Sequence, residues 1–250
     1  MDPALVAVCT AWFAGAFVGG LCALGTAMVA VPVIALFLPV KTDILIACIQ
    51  APALSGLLFL LNWRHCRWKS LMPMVAGIVP GAVAGLWTIQ AVPGVWLELA
   101  IGILLAFFLC WQQFGRTVPG RESWALGIGA GALSGFLGTS ISFEGPPVGA
   151  YGLYAGWPPR EFLGTLGAFY FARAAAGFAL QWQAGLYTPE VLHYGLWALP
   201  FSLAGTLLAF PVVRAIRIGA FRIILKCVIL AGAAGCLGRS LAGILGFGQG

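Results

Sequence analysis

Apolar runs long enough to cross a bilayer recur along this chain with almost nothing between them, and that leaves few folds open. The clearest are 44–61, 71–90, 94–113, 161–182, 190–210 and 222–245. Each approaches the roughly 20 apolar residues that a helix needs to span the hydrocarbon core. A backbone in lipid must satisfy its own polar groups, so such runs are read as helices. The opening run, Leu5 to Val18, lacks the basic flank of a secretory signal and precedes no polar mature region, so it is read as the first membrane segment. Composition agrees: 8% of the 250 residues are charged and 61% are hydrophobic, against about 25% charged in a soluble domain. The longest polar stretch, Gln112 to Ser123, is only a linker. The expectation is an all-α, polytopic membrane protein with no separate soluble domain.

The chain repeats weakly at half its length. Ala14-Gly15-Ala16, Gly19 and Leu21 return as Ala130-Gly131-Ala132, Gly135 and Leu137. Pro32-Val33 returns as Pro147-Val148, and Lys41 and Asp43 answer to Arg160 and Glu161. Asn62-Trp63 parallels Gln181-Trp182, and Pro80 with Ala84-Gly85 parallels Pro200 with Ala204-Gly205. Allowing a one-residue slip at Pro32-Val33, the offset drifts only from 116 to 120 and the matches keep their order. These matches divide the chain into a first repeat, 1–113, a cytoplasmic linker, 114–122, and a second repeat, 123–250.

Cytoplasmic loops accumulate Lys and Arg. Arg64, Arg67 and Lys69 place the 62–70 loop inside; Arg116 and Arg121 do the same for the linker, and Arg214, Arg217 and Arg222 for the next loop. The turns near Pro93 and Gly185 carry no basic residue and belong outside. Loop 62–70 is therefore inside while its repeat, 183–190, is outside, and the two repeats have inverted topology. Each half then crosses an odd number of times. Three long helices per half are plain, so segments 4–38 and 123–156 must add a helical hairpin each, crossing twice or re-entrant. Both are broken by Gly and Pro. About ten hydrophobic segments result, in the inner or plasma membrane, with both termini outside the cytoplasm.

Paired broken helices in inverted repeats commonly frame a substrate site near mid-membrane. An interrupted helix exposes backbone donors, and its N-terminus favours an anion. The breaks at 19–26 and 135–145 are the leading candidates, with Gly20, Gly25 and Gly138 allowing close approach and Thr26, Thr139, Ser140 and Ser142 adding hydroxyls. Gly77, Gly81 and Gly85, spaced by four, are read as helix-packing residues instead. Arg173 falls mid-way along its run and Glu144 in the second break; intramembrane charges point to function. Arg173 is a candidate oxyanion ligand through its planar fork, and Glu144 a proton carrier. The plainer alternative is that the two simply pair. Gln50, Gln181 and Tyr170 are weaker pore-lining candidates, and Glu98 is expected at a membrane boundary. Cys22 is a candidate contact for a sulfur compound, though a small buried thiol is the plainer reading. The seven cysteines match neither a zinc site nor a disulfide framework, and His65 and His193 are far apart, so no metal and no cofactor is expected. No Walker A, HExxH or GxSxG motif is present, which leaves ATP-driven transport and hydrolase chemistry without support. Nothing resembles a nucleic-acid module.

Gly135-Phe136-Leu137-Gly138, then Glu144-Gly145-Pro146-Pro147, Tyr151, Gly156-Trp157-Pro158 and Phe162, resembles the sulfite exporter TauE/SafE family of anion transporters. The glycine-rich opening through Val31-Pro32 resembles that family's first repeat. The resemblance implies movement of a small sulfur-containing or organic anion, such as sulfite, sulfoacetate or another sulfonate, with both Gly/Pro segments forming the site. Where that family commonly reads Phe-Arg-Ala-Thr, this chain has Phe162-Leu163-Gly164-Thr165, which makes Arg173 the candidate replacement for the missing charge.

The expected function is a secondary transporter of a small oxyanion by alternating access, with proton coupling through Glu144 as an option. An uncoupled anion channel or facilitator and a membrane subunit of a larger complex are the alternatives; a membrane enzyme would need a nucleophile–base pair or metal cluster that the residues do not offer. The expected partners are a small anionic substrate and the lipid bilayer, and small apolar faces permit a homodimer.

Overall fold

The computed structural model describes residues 3–22, 26–114, 120–213, 230, 233–241 and 244. Among them the chain is helical apart from short connections: α1 (Pro3–Cys22), α2 (Thr26–Ile34), α3 (Val40–Asn62), a single 3-10 turn (Trp63–His65), α4 (Trp68–Ala91), α5 (Gly94–Phe114), α6 (Trp124–Ile141), α7 (Gly145–Tyr154), α8 (Pro159–Gln183) and α9 (Pro189–Val213). Residues 233–241 are also helical, whereas most of the run at 222–245 and the basic loop at 214–222 lie outside the described residues. Six stretches, in α1, α3, α4, α6, α8 and α9, are long and apolar enough to cross a membrane; in α5 the apolar stretch is the shorter Gly94–Cys110. Trp63, Trp68, Trp96, Trp124 and Trp182 are exposed near helix ends, where an amphipathic indole favours the headgroup region.

Each half opens with a long helix followed by a short one, 20 and 9 residues for α1 and α2, 18 and 10 for α6 and α7. At 1.5 Å per residue the short members reach about 15 Å, half a hydrocarbon core. Each hairpin therefore joins one helix of spanning length to one of half that length. Pro32, Pro52, Pro73 and Pro80 stand inside helices. α7 and α8 carry proline in their first positions, where a missing N–H removes an orphan donor.

The chain packs as two compact units, residues 1–46, 92–115 and 191–250 in one, 47–91 and 116–190 in the other. Neither follows a sequence half; each takes helices from both. In the first unit, close backbone contact joins α1 to α2 and to α9. A Cβ on Gly20 would stand 2.7 Å from the Ala209 Cβ and 3.1 Å from the Thr206 carbonyl, and the Cys9 thiol donates to the Trp197 carbonyl at 3.8 Å. Glu98, near the start of α5, faces Arg239, whose Nε donates to Glu98 Oε1 at 2.7 Å.

In the second unit α4 lies on α6 along a glycine stripe. A side chain on Gly77, Gly81 or Gly85 would strike the backbone of Ile128, Ala132 or Phe136, and one on Gly131 or Gly135 would strike Met74 or Ile78 in return. The packing role expected of Gly77, Gly81 and Gly85 is thus the observed one. Gly135 shares it. A Cβ on Gly164 would stand 2.7 Å from the Asn62 carbonyl, so α8 abuts the end of α3 one residue after Leu163, the position that lacks the family arginine. Thr165 Oγ1 accepts the Arg67 N–H at 2.9 Å.

The resemblance motif after α7 is structural. Tyr151, Trp157 and Phe162 meet edge to face, and the Trp157 indole donates to Glu122 at 2.7 Å. Glu122 also accepts from the Ser70 hydroxyl at 2.5 Å and pairs with Arg67 at 2.9 Å, while Arg67 reaches Glu161 at 2.8 Å. Burial alone would push the Glu122 carboxyl up, but the two hydrogen bonds and Arg67 outweigh it and hold the group below its ordinary 4.5. A depressed carboxyl stabilises the fold above its unfolded pKa and loses that contribution as pH falls through the folded value. Glu122→Gln is accordingly expected to lower the melting temperature at neutral pH and to leave it unchanged under strongly acidic conditions, as a pH series of thermal unfolding would record.

Candidate functional site

The second unit holds a buried polar cluster where α6 ends, α7 begins and α8 passes. α6 terminates at Ser142, which adopts the left-handed conformation (φ 58°, ψ 35°), while the Phe143 N–H closes back on the Leu137 carbonyl at 3.1 Å. A turn of this kind usually takes glycine. Here a hydroxyl stands instead, 3.7 Å from the Cys48 thiol. Left-handed backbone costs a non-glycine residue about 1–2 kcal/mol. Ser142→Gly is therefore expected to leave the melting temperature unchanged or raised, and Ser142→Val to lower it, as differential scanning fluorimetry in detergent would show.

Arg173, in the middle of α8, is 1% exposed. Its Nη2 donates to Glu144 Oε1 at 2.8 Å. Gly138 makes that pair possible, because a Cβ there would stand 2.9 Å from Arg173 Cδ and 3.0 Å from Glu144 Cβ. Glu144 also occupies the N-cap position of α7, an acid beside a helix N-terminus, and its carbonyl accepts the Ser134 hydroxyl. Arg173 Nε and Nη1 have no hydrogen-bond partner among the described residues, nor do Thr139 Oγ1 and the Tyr170 hydroxyl, and all four atoms are buried. Tyr170 interacts electrostatically with both Arg173 and Glu144. Gly177, one turn beyond Arg173, brings two of these groups to one place: a Cβ there would lie 3.3 Å from Thr139 Oγ1 and 3.5 Å from Arg173 Nη1.

The surrounding groups hold the cluster in position. The Gln181 amide donates to the Thr139 carbonyl at 3.1 Å and accepts from the Tyr187 hydroxyl at 2.7 Å. Burial pushes the Tyr187 hydroxyl far up, so it stays protonated and donates. The Cys48 thiol faces the Gly138 carbonyl at 3.9 Å. A buried guanidinium with two unpartnered donor atoms, next to two unpartnered hydroxyls, is suited to an oxyanion: in a low-dielectric site such charge-assisted bonds are strong, and leaving the donors unmade is costly.

Of the sequence-derived candidates, Gly138, Thr139, Ser142, Glu144, Tyr170 and Arg173 come together here. Ser140 is adjacent, but its hydroxyl donates to the Phe136 carbonyl one turn back, at 2.7 Å. Gln50 is fully buried on α3 within the same unit. Gly20 and Thr26 belong to the first unit, where Thr26 packs on Gly19. Gly25 and the Cys22 side chain lie outside the described residues. Cys48, Ser134, Gly177 and Tyr187 escaped the sequence reading, since a lone Cys, Ser or Gly in an apolar run carries no local mark. Among the described residues no group of three His, Cys, Asp or Glu is placed to hold a metal ion.

Residues 7–236 match the family described as sulfite exporter TauE/SafE. A Comamonas testosteroni protein described as "Probable inner membrane transporter protein TsaS" is 26% identical over 178 residues, covering 68% of this chain and 72% of that protein. No solved structure matches. The family match runs through both hairpins and the buried Arg173 cluster, so this multi-pass helical protein belongs to the sulfite exporter TauE/SafE family of membrane transporters.

Proposed function

We propose that the chain is a secondary carrier that binds a small sulfur-containing or organic oxyanion, such as sulfite, sulfoacetate or another sulfonate, at Arg173 and moves it by alternating access. The observation that carries this reading is the set of buried donors on Arg173, Thr139 and Tyr170 that have no partner among the described residues. Glu144 fills the place of the anion between substrates: it balances Arg173 by charge while using only one of the three guanidinium nitrogens. An arriving anion competes for that charge. Protonation of Glu144 would release the guanidinium, which is how a proton would be coupled at this site. The recurrence of a long helix, a half-length helix and two long helices in both halves supports the inverted repeat and, with it, termini outside the cytoplasm.

The test is a thermal-unfolding screen of the purified chain against sulfite, sulfate, thiosulfate, sulfoacetate and simple carboxylates. A ligand that binds only the folded state raises the melting temperature with concentration. A selective rise with a sulfur oxyanion, lost in Arg173→Ala, is the expected result. No rise with any anion would overturn the oxyanion reading while leaving family membership intact.

A further inference from the structure

In the first unit, Asp43 sits in the first turn of α3 and its side chain is completely buried. Neither carboxylate oxygen has a hydrogen-bond partner among the described residues. An ionised carboxylate stripped of both water and donors is costly in an apolar interior, so a proton, a cation or a facing charge must compensate it. The partial positive charge of the helix N-terminus helps, but it amounts to only about half an elementary charge shared among several N–H groups.

Arg239, from the helical stretch 233–241, is a cation that interacts electrostatically with Asp43. Arg239 is already engaged by Glu98 on α5: its Nε donates to Glu98 Oε1 at 2.7 Å and its Nη2 lies 2.5 Å from the same oxygen. Asp43 itself makes no ion pair among the described residues. Cys236, three residues before Arg239, interacts with Glu98, Arg239 and Asp43 together, which draws all four groups into one locality. Lys41, on the same helix as Asp43, is half-buried and has an interaction of its own. Two acids thus share one guanidinium. With both ionised the triad carries one negative charge too many for a buried site, and one proton on Asp43 removes it.

The geometry points to Asp43 as a proton-binding site, with the Arg239–Glu98 pair as the element that senses whether the proton is there. The proton passes between water and an Asp43 carboxylate oxygen; no other bond changes. With Asp43 protonated, Arg239 stays with Glu98. With the proton gone, Arg239 has an Nη1 that hydrogen-bonds to no described group and can turn towards the new charge. A metal cation fits less well, since it needs several oxygen ligands and would face a guanidinium. None of its residues belongs to the Arg173–Glu144 cluster. That its proton drives anion movement rests on the carrier reading.

Two measurements on the full chain test it. In wild-type protein in liposomes, modification of Asp43 by a bilayer-soluble carbodiimide, which requires a protonated carboxyl, is followed by peptide mass spectrometry. Labelling that falls about tenfold per pH unit above the titration midpoint is expected of a single titrating group. Labelling that is absent, indifferent to pH or suppressed by Na⁺ at fixed pH would overturn the proton site. Radiolabelled sulfite then separates the two readings. No sulfite exchange by wild type counts against the carrier, whereas exchange without accumulation under an imposed pH gradient counts against Asp43 alone. Asp43→Asn, which imitates the protonated form, is expected to abolish accumulation driven by the gradient, together with the accompanying pyranine signal. Gradient-driven accumulation at the wild-type rate would overturn the proposal. Should that variant fail to fold, the labelling of wild-type protein decides.

Discussion

Arg173→Ala is expected to abolish the stabilisation of the purified protein by sulfite and to weaken sulfite affinity by about 10- to 150-fold. Hydrogen bonds to a charged group contribute about 1.5–3 kcal/mol, and about 1.4 kcal/mol is a factor of ten in affinity. The same substitution removes the counter-charge of Glu144, so a fall in stability is expected as well. Breaking a fully buried pair costs about 3–5 kcal/mol. Glu144 retains 20% side-chain exposure, which gives its charge partial access to solvent and reduces that cost. The two effects separate in the double variant. Arg173→Ala with Glu144→Gln removes both charges, so the melting temperature should recover while sulfite remains without effect. Glu144→Gln alone should do the opposite to binding. It leaves the guanidinium without its carboxylate, and sulfite affinity should rise. Equal sulfite affinity in wild type and Arg173→Ala, read by calorimetry, would remove Arg173 from the site.

Gly81→Leu is expected to prevent folding of the second unit, and Gly81→Ala to cost about 2–3 kcal/mol, the upper range for overpacking. A Cβ at Gly81 would collide with the Ala132 carbonyl oxygen and stand 2.8 Å from the Ala132 carbonyl carbon and 2.9 Å from the Phe136 nitrogen. All three are backbone atoms, so no rotamer change relieves the contact. α4 would have to lift off α6, and the contacts at Gly77, Gly85 and Gly131 would open with it. Lipid tails are as apolar as leucine, so close van der Waals packing is what drives helices together in a bilayer. Gly129 provides the control, since nothing lies within 4 Å of where its Cβ would be. Gly129→Ala should be neutral, or stabilising by up to about 1 kcal/mol through helix propensity. Thermal unfolding and size-exclusion profiles in detergent measure both. Equal behaviour of Gly81→Ala and Gly129→Ala would show that the stripe does not set the packing.

Much of this protein could be read without its structure. Helix class, the positions of the long helices and the breaks that open each half follow from hydropathy, length and Gly/Pro punctuation. These are local sums along the chain, and lipid enforces them because an unpaired backbone group has no water to turn to. Arg173 and Glu144 stood out for the same reason: a charge within an apolar run is conspicuous wherever the chain goes next.

What only the tertiary structure decided is which polar groups meet. Asp43 and Glu161 occupy matching places in the two repeats and look alike in sequence. One is fully buried, its carboxylate without a hydrogen-bond partner among the described residues, and the other reaches Arg67 at an exposed pair. Glu98 looked interfacial and faces Arg239, 141 residues away. Gly135 belonged to a candidate site and serves helix packing, while Gly177, unremarkable in sequence, borders Arg173 and Thr139. The division into two units crosses the sequence halves altogether. Burial and partnership depend on contacts between residues far apart in the chain, and hydropathy, being a property of neighbours in sequence, carries no record of them.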